Sequence, residues 1–210
     1  MPPSPAIATI KRGRKFDQVL AGARTIFLRD GFNGASVDDI AAEAGVSKAT
    51  LYSYFPDKRM LFIEIAKQEC RRQADEAEVL VTLSAPPACV LPEAARRIIA
   101  FTLSDLGQSV FRICVAEADR FPELGREFYT SGPGLVRERL AAYLNGAVAR
   151  GELAIDDVYL AADQFAELCK ADIFPSACFG IKRDVSEAER NRVIKGAVEM
   201  FLARYGVKTG

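Results

Sequence analysis

Apolar residues recur at helical spacing along most of the chain, and the stripes break at glycine, proline and small polar residues. Phe16, Val19, Leu20, Ala23, Ile26 and Phe27 share one face, the pattern of an amphipathic helix. Gly31 suits a left-handed stop after it. Ser36-Val37-Asp38-Asp39 predicts a second helix start, with a hydroxyl cap and two acids in the positive first turn. That helix runs to about Ala44 and breaks at Gly45. Ser47 caps a third, Lys48 to Phe55, which Pro56 ends. Asp57 opens a fourth, longer helix with its stripe at Leu61, Phe62, Ile65 and Ala66.

Ala85-Pro86-Pro87 is the clearest internal boundary. Helical stripes resume at Leu91, Phe101, Leu103 and Leu106, and again after Gly107 at Val110, Phe111, Cys114 and Val115. Leu135, Leu140, Tyr143, Leu144 and Val148 form another before Gly151. The last two are the most regular. One holds Val158, Ala161, Ala162, Phe165, Leu168, Cys169 and Ile173; the other holds Val193, Ile194, Ala197, Val198, Phe201, Leu202 and Tyr205. No segment alternates with the period of a strand, and there is no internal repeat or low-complexity run. The pattern predicts an all-α chain of about nine helices.

Composition narrows the chemistry. The 210 residues include no histidine, which excludes Ser-His-Asp and Cys-His nucleophiles, His-ligated metals and imidazole switches. No metal or cofactor is expected, and no catalytic residue. There is neither a G-x-x-x-x-G-K-[ST] nor a G-x-G-x-x-G motif, although a carboxylate or lysine mechanism stays formally open. The five cysteines (Cys70, Cys89, Cys114, Cys169, Cys178) form no C-x-x-C pair. They read as small buried hydrophobes in a reducing cytosol, with a thiol sensor as the alternative. The first ten residues lack the form of a secretory signal. The longest uncharged run, Val79 to Pro92, has 14 residues and three prolines, too short and broken to span a bilayer. A cytoplasmic protein without membrane partners is expected.

Charge balances at 28 against 28 but is unevenly placed. Residues 1–59 carry nine positive and six negative side chains, and the remainder 19 and 22. A basic quarter on an acidic body points toward a polyanion. Lys11, Arg12, Arg14 and Lys15 concentrate that charge just before the first helix.

Ile40, Ala44, Val46, Leu51 and Tyr54 are spaced to share a small core, with Ala41 where two short helices cross and Gly45 at their turn. This is the spacing of a helix-turn-helix, in which the second helix enters the DNA major groove. With its flanks (Ala23, Phe27, Gly31-Phe32, Ser36-Val37, Ile40-Ala41, Ala44-Gly45-Val46-Ser47, Leu51-Tyr52, Tyr54-Phe55, Lys58, Leu61-Phe62) the stretch from Phe16 to about Ala66 resembles the TetR family of transcriptional regulators. Ala116 to Leu124 is similar to a segment found in one branch of that family. The resemblance implies a three-helix DNA-binding head, a long connecting helix and a helical body that dimerises and binds a small effector. The expected division is a basic arm over 1–14, the helix-turn-helix domain over 15–57 and the effector and dimerisation domain over 58–210.

Chemistry and resemblance then assign roles. Lys48, Ala49 and Thr50 occupy the first turn of the recognition helix. There Lys48 can donate to guanine O6/N7, and Ala49 and the Thr50 methyl can meet a thymine methyl. Ser36, Ser47 and Lys58, at helix starts, are expected at phosphates. Tyr52, Ser53 and Tyr54 match positions that meet the backbone in the family, although the spacing of Tyr54 also suits the core. Relatives place a histidine where this chain has Tyr54.

One recognition helix reads few bases, so a homodimer on a palindromic operator is expected, with Phe165, Leu168, Ile194, Ala197, Val198, Phe201 and Leu202 as its seam. Candidates for an effector pocket are Phe101, Phe111, Glu117, Phe121, Phe165 and Cys169, which equally suit the core; Arg120 is a second polar anchor beside Glu117. The function expected is a repressor released from its operator by a small apolar or amphipathic ligand. A helical enzyme and a protein-binding adaptor with an incidental helix-turn-helix are the alternatives.

Overall fold

The computed structural model describes residues 13–80, 85–119, 121–182 and 184–207, with the side chains of 73–80 excepted. The fold is all-α, and the described residues form eleven helices rather than about nine. The chain divides into two compact units, 1–66 and 67–210.

In the first unit α1 (Arg14–Gly34) is interrupted at Gly31, whose φ of 68° supplies the expected left-handed break. Next come α2 (Val37–Glu43), α3 (Lys48–Tyr54) and the first turns of α4 (Lys58–Leu80). The predicted stripes are its core: Val19, Ala23, Ile40, Leu51, Leu61 and Phe62 are at most 1% exposed. Phe62 meets Phe27 edge to face at 4.8 Å. Burial of side chains this size contributes about 1.5–3 kcal/mol each. The tightest approach lies at a residue outside the predicted motif. A Cβ on Gly22 would sit 2.7 Å from the Ala44 nitrogen, so α1 passes against the end of α2 only because residue 22 has no side chain.

The second unit contains α5 (Pro87–Leu103), α6 (Asp105–Ala116), α7 (Pro122–Ser131), α8 (Pro133–Ala149), α9 (Val158–Leu168), α10 (Ile173–Cys178) and α11 (Glu187–Tyr205). Three of these begin with proline, whose missing N–H and fixed φ suit a first helical position. The two extra helices are α7, where the sequence shows no clear stripe, and α10, which a local stop separates from the stripe of α9. Ser104 caps α6 by accepting from the Gly107 N–H at 3.0 Å, so the break falls at Ser104 and Gly107 lies inside the helix. A Cβ on Gly107 would come 2.1 Å from the Phe101 carbonyl oxygen. Before α10 the break is Asp172, at φ 70°.

Leu91, Ile99, Leu144, Phe165 and Phe201 form the centre of a core shared by α5, α8, α9, α10 and α11. Tyr143 donates from its hydroxyl to the Ala85 carbonyl at 2.7 Å, and burial pushes its pKa up to about 12. The chain after α8 is pinned to the end of α11 by Ala154 N–H donating to Tyr205 O at 2.8 Å and Val207 N–H to Glu152 O at 3.2 Å.

The start of α11 is a capping box. Glu189 pairs with Lys182 and accepts from the Ser186 hydroxyl and N–H, which together draw its pKa from 4.5 to about 2. A carboxyl depressed in the folded state stabilises above its unfolded pKa and loses that contribution as pH falls through the folded one. The thermal midpoints of the parent and Glu189→Gln are therefore expected to differ fully at about pH 6, and to converge between pH 4.5 and 2. A gap that stays constant down to pH 2 would contradict this.

Candidate nucleic-acid interface

The turn between α2 and α3 is fixed by Gly45 at φ 64°. Gly45 N–H donates to Ala42 O at 3.1 Å and Val46 N–H to Ala41 O at 3.0 Å, closing the end of α2 before α3 turns away. Leu51 is 1% exposed, so the opposite face of α3 is the one offered to solvent. Lys48, Ala49, Tyr52 and Ser53 are exposed on it, while Thr50 and Tyr54 are half-buried.

The hydroxyls expected at phosphate are engaged in capping. Ser47 Oγ accepts from the Thr50 N–H at 3.1 Å and lies 2.9 Å from Thr50 Oγ1. Ser53 Oγ donates to Thr50 O at 2.6 Å. Ser36 Oγ accepts from Asp39 N–H at 3.0 Å and donates to the Asp39 carboxylate at 2.6 Å. The Ser36 and Ser47 bonds stiffen the first turns of α2 and α3, which places their exposed side chains reproducibly.

Lys58 is not poised as the expected phosphate clamp. Its ammonium donates to Phe32 O at 2.8 Å and Ala35 O at 2.9 Å, and it sits 4.5 Å from the centre of the Phe32 ring. Burial lowers its pKa. The residue ties the end of α1 and the residue after it to the start of α4, a role that sequence spacing does not reveal because the partners are backbone carbonyls.

Lys48 forms an ion pair with Asp38 of α2, a partner that spacing along the chain does not single out. Tyr54 packs edge-on against Phe16 at 5.7 Å and also lines an open cleft of about 610 Å³ with Gly13, Arg14, Lys15, Gln18 and Gly45. Tyr54 is thus packed on the core along one edge of its ring and open to the cleft along another. Arg14 and Lys15 are exposed in the first turn of α1, while Lys11 and Arg12 lie outside the described residues.

The body residues separate into different environments. Phe165 and Cys169 are fully buried core, and Phe165 meets Phe201 edge to face at 5.3 Å. Phe111 is partly exposed and pairs instead with Phe174 at 5.1 Å. Phe101, Glu117 and Phe121 are half-buried; Glu117 ends α6 and its carbonyl accepts from the Phe121 N–H at 2.8 Å. Arg120 lies outside the described residues. Of the expected seam, Phe165, Ile194, Ala197 and Phe201 are buried inside the unit's own core. Leu168, Val198 and Leu202 are half-buried against it.

Cys70 and Cys169 are buried, and desolvation pushes their thiols up to about 12. Such thiols stay protonated and unreactive. No group of three or more Cys, Asp or Glu among the described residues is placed to hold a metal. No single described helix is long and apolar enough to cross a membrane.

Comparison with known proteins decides the family. Residues 19–65 match the bacterial regulatory proteins of the tetR family. Residues 89–207 match the AefR-like transcriptional repressor C-terminal domain. The chain belongs to the TetR family. A TetR-family transcriptional regulator from Mesorhizobium loti is 32% identical and superposes with a TM-score of 0.79, covering 92% of this chain and 98% of that one. The flavonoid-responsive regulator FrrA is 34% identical with a TM-score of 0.67, covering 94% and 100%. Among curated relatives, the regulator RutR of Escherichia coli is 41% identical over 64 residues, 29% of this chain and 30% of RutR. The repressor AcnR of Corynebacterium diphtheriae is 28% identical over 71 residues, 34% of this chain and 37% of AcnR. The chain thus spans about a third of the length of the curated relatives it matches. As a member of the family it is a DNA-binding transcriptional regulator.

Proposed function

We propose that this protein is a cytoplasmic, homodimeric repressor that occupies a palindromic operator and leaves it when a small apolar or amphipathic ligand binds the body. It acts by binding rather than by catalysis. DNA contacts are assigned to residues 15–57 with the basic arm, and effector binding and dimerisation to residues 58–210. The observation that carries the reading is the first turn of α3. Ser47 caps it, Leu51 anchors it, and Lys48 and Ala49 stand exposed beside Thr50. That is the surface a recognition helix offers to base edges.

Lys48 is assigned to a guanine edge. Ala49 and Thr50 are assigned to a thymine methyl, and Tyr52 and Ser53 to the backbone. Arg14 and Lys15 flank the cleft that ends at Tyr54, where a phosphate fits the charge. For the dimer, the residues able to meet a partner are the outward ones of the last two regular helices. Leu160 (51% exposed) precedes Leu168 on one stripe of α9, and Met200 (61% exposed) stands on α11. For the effector, the flavonoid response of FrrA makes a planar phenolic compound the first class to try. A ligand that prefers the released form by about 1–3 kcal/mol lowers operator affinity roughly 5- to 150-fold.

Selection of genomic fragments by the full chain tests this reading. A two-fold symmetric site is expected, bound with a steep dependence on salt because phosphate neutralisation releases counterions. Recovery of unrelated fragments with salt-insensitive binding would overturn it.

A further inference from the structure

Asp38 is an odd residue to find on a surface that meets DNA. It is the second residue of α2, and its side chain is 66% exposed; Lys48, the first residue of α3, is 56% exposed. The two form an ion pair across the helix-turn-helix. Asp38 is not needed to cap α2, because Ser36 and Asp39 do that between them. A carboxylate here carries the sign that DNA repels, and it neutralises a cation of the recognition helix before DNA arrives.

We propose that Asp38 sets the specificity of DNA binding by holding Lys48 in an ion pair that a base edge displaces more readily than a phosphate does. The proposal rests on the assignment of Lys48 to base edges made above. An exposed pair of this kind contributes little in water, so it restrains Lys48 without disabling it. On a random sequence Lys48 is offered only a single phosphate oxygen in exchange for its carboxylate, so it stays paired with Asp38. On the operator it gains the paired acceptors O6 and N7 of guanine, which discriminate against a wrong base by roughly 5- to 150-fold. The balance therefore weakens non-operator binding more than operator binding. The net effect is a larger ratio between the two, which is what selects a site in a genome. The same arrangement fits a head whose positive excess is small.

Asp38→Asn removes the charge and keeps the shape, and Asp38→Ser supplies a second neutral replacement. Each is compared with the parent on operator DNA and on a scrambled duplex of equal length, over a series of salt concentrations. Freeing Lys48 adds one phosphate contact per protomer, so the salt slope on scrambled DNA steepens by about 0.9 per protomer. Near 0.1 M salt, affinity for that duplex is expected to rise about 5- to 50-fold for the dimer, with a smaller rise on the operator. In a Lys48→Ala background the gain on scrambled DNA disappears. An unchanged or weakened affinity for scrambled DNA in both replacements overturns the proposal, leaving Asp38 as a favourable acid at a helix start. A gain that persists in the Lys48→Ala background overturns it too, because Asp38 then acts on phosphates directly. Failure of the Lys48 assignment itself is distinguishable, since it appears as unaltered base preference in Lys48→Ala alone.

Discussion

Replacing Phe165 by alanine is expected to destabilise the second unit by about 3–5 kcal/mol, the usual cost of emptying a large buried aromatic site. Phe165 is fully buried on α9 and meets Phe201 of α11 at 5.3 Å, with Phe201 in turn 4.9 Å from Tyr205. Helices pack on both sides of the ring, so relaxation can fill little of the void. Met200→Ala on the exposed side of α11 removes a side chain of similar reach, with little change expected in the stability of the protomer. Chemical unfolding followed by far-UV circular dichroism, repeated at two protein concentrations, separates the two effects. The Phe165→Ala loss should persist at both, whereas a residue acting at a dimer seam gives a loss that depends on concentration. A change below about 1 kcal/mol for Phe165→Ala would show that the ring lines an adaptable cavity rather than the core.

The three roles open to Phe165 in the sequence show what periodicity can and cannot decide. Its stripe on α9 identifies an apolar face but not what covers it, and a pocket, a partner and a neighbouring helix all produce the same spacing. The stripes of the first unit carry no such ambiguity. Short helices joined by Gly31, Gly45 and Pro56 leave one arrangement for Val19, Ile40, Leu51 and Phe62, and those residues are the core. Missing from that reading were features made by atoms without a pattern. Gly22 matters because α2 ends against it, and Lys58 because two carbonyls converge on its ammonium. Ser104, rather than the nearby glycine, starts α6 because its hydroxyl takes the Gly107 N–H. Each depends on contacts whose geometry appears only once the chain is folded.

Lys48→Ala and Lys58→Met are expected to fail in different ways, although both remove one lysine from the same unit. Lys48 points to solvent and, among the described residues, is restrained by Asp38. Its loss removes about 1–3 kcal/mol of base discrimination at each half-site, and a palindrome carries two. Operator affinity therefore falls by about 2–6 kcal/mol, between roughly 30- and 25,000-fold, while the thermal midpoint stays close to the parent's. Lys58 is a different case, because its ammonium serves the Phe32 and Ala35 carbonyls and lies over the Phe32 ring. Methionine keeps the length of the stem but leaves two carbonyl oxygens without their charged donor, costing about 1–3 kcal/mol of folding stability. Binding per folded molecule then keeps the parental salt slope, since no phosphate contact has been lost. A fluorescence-anisotropy titration over a salt series, paired with thermal unfolding of each variant, reads both quantities. If Lys58→Met instead flattened the salt slope at unchanged stability, its ammonium would have to leave those carbonyls for phosphate when DNA binds. The end of α1 and the residue after it would then be part of the DNA-bound rearrangement rather than its fixed support.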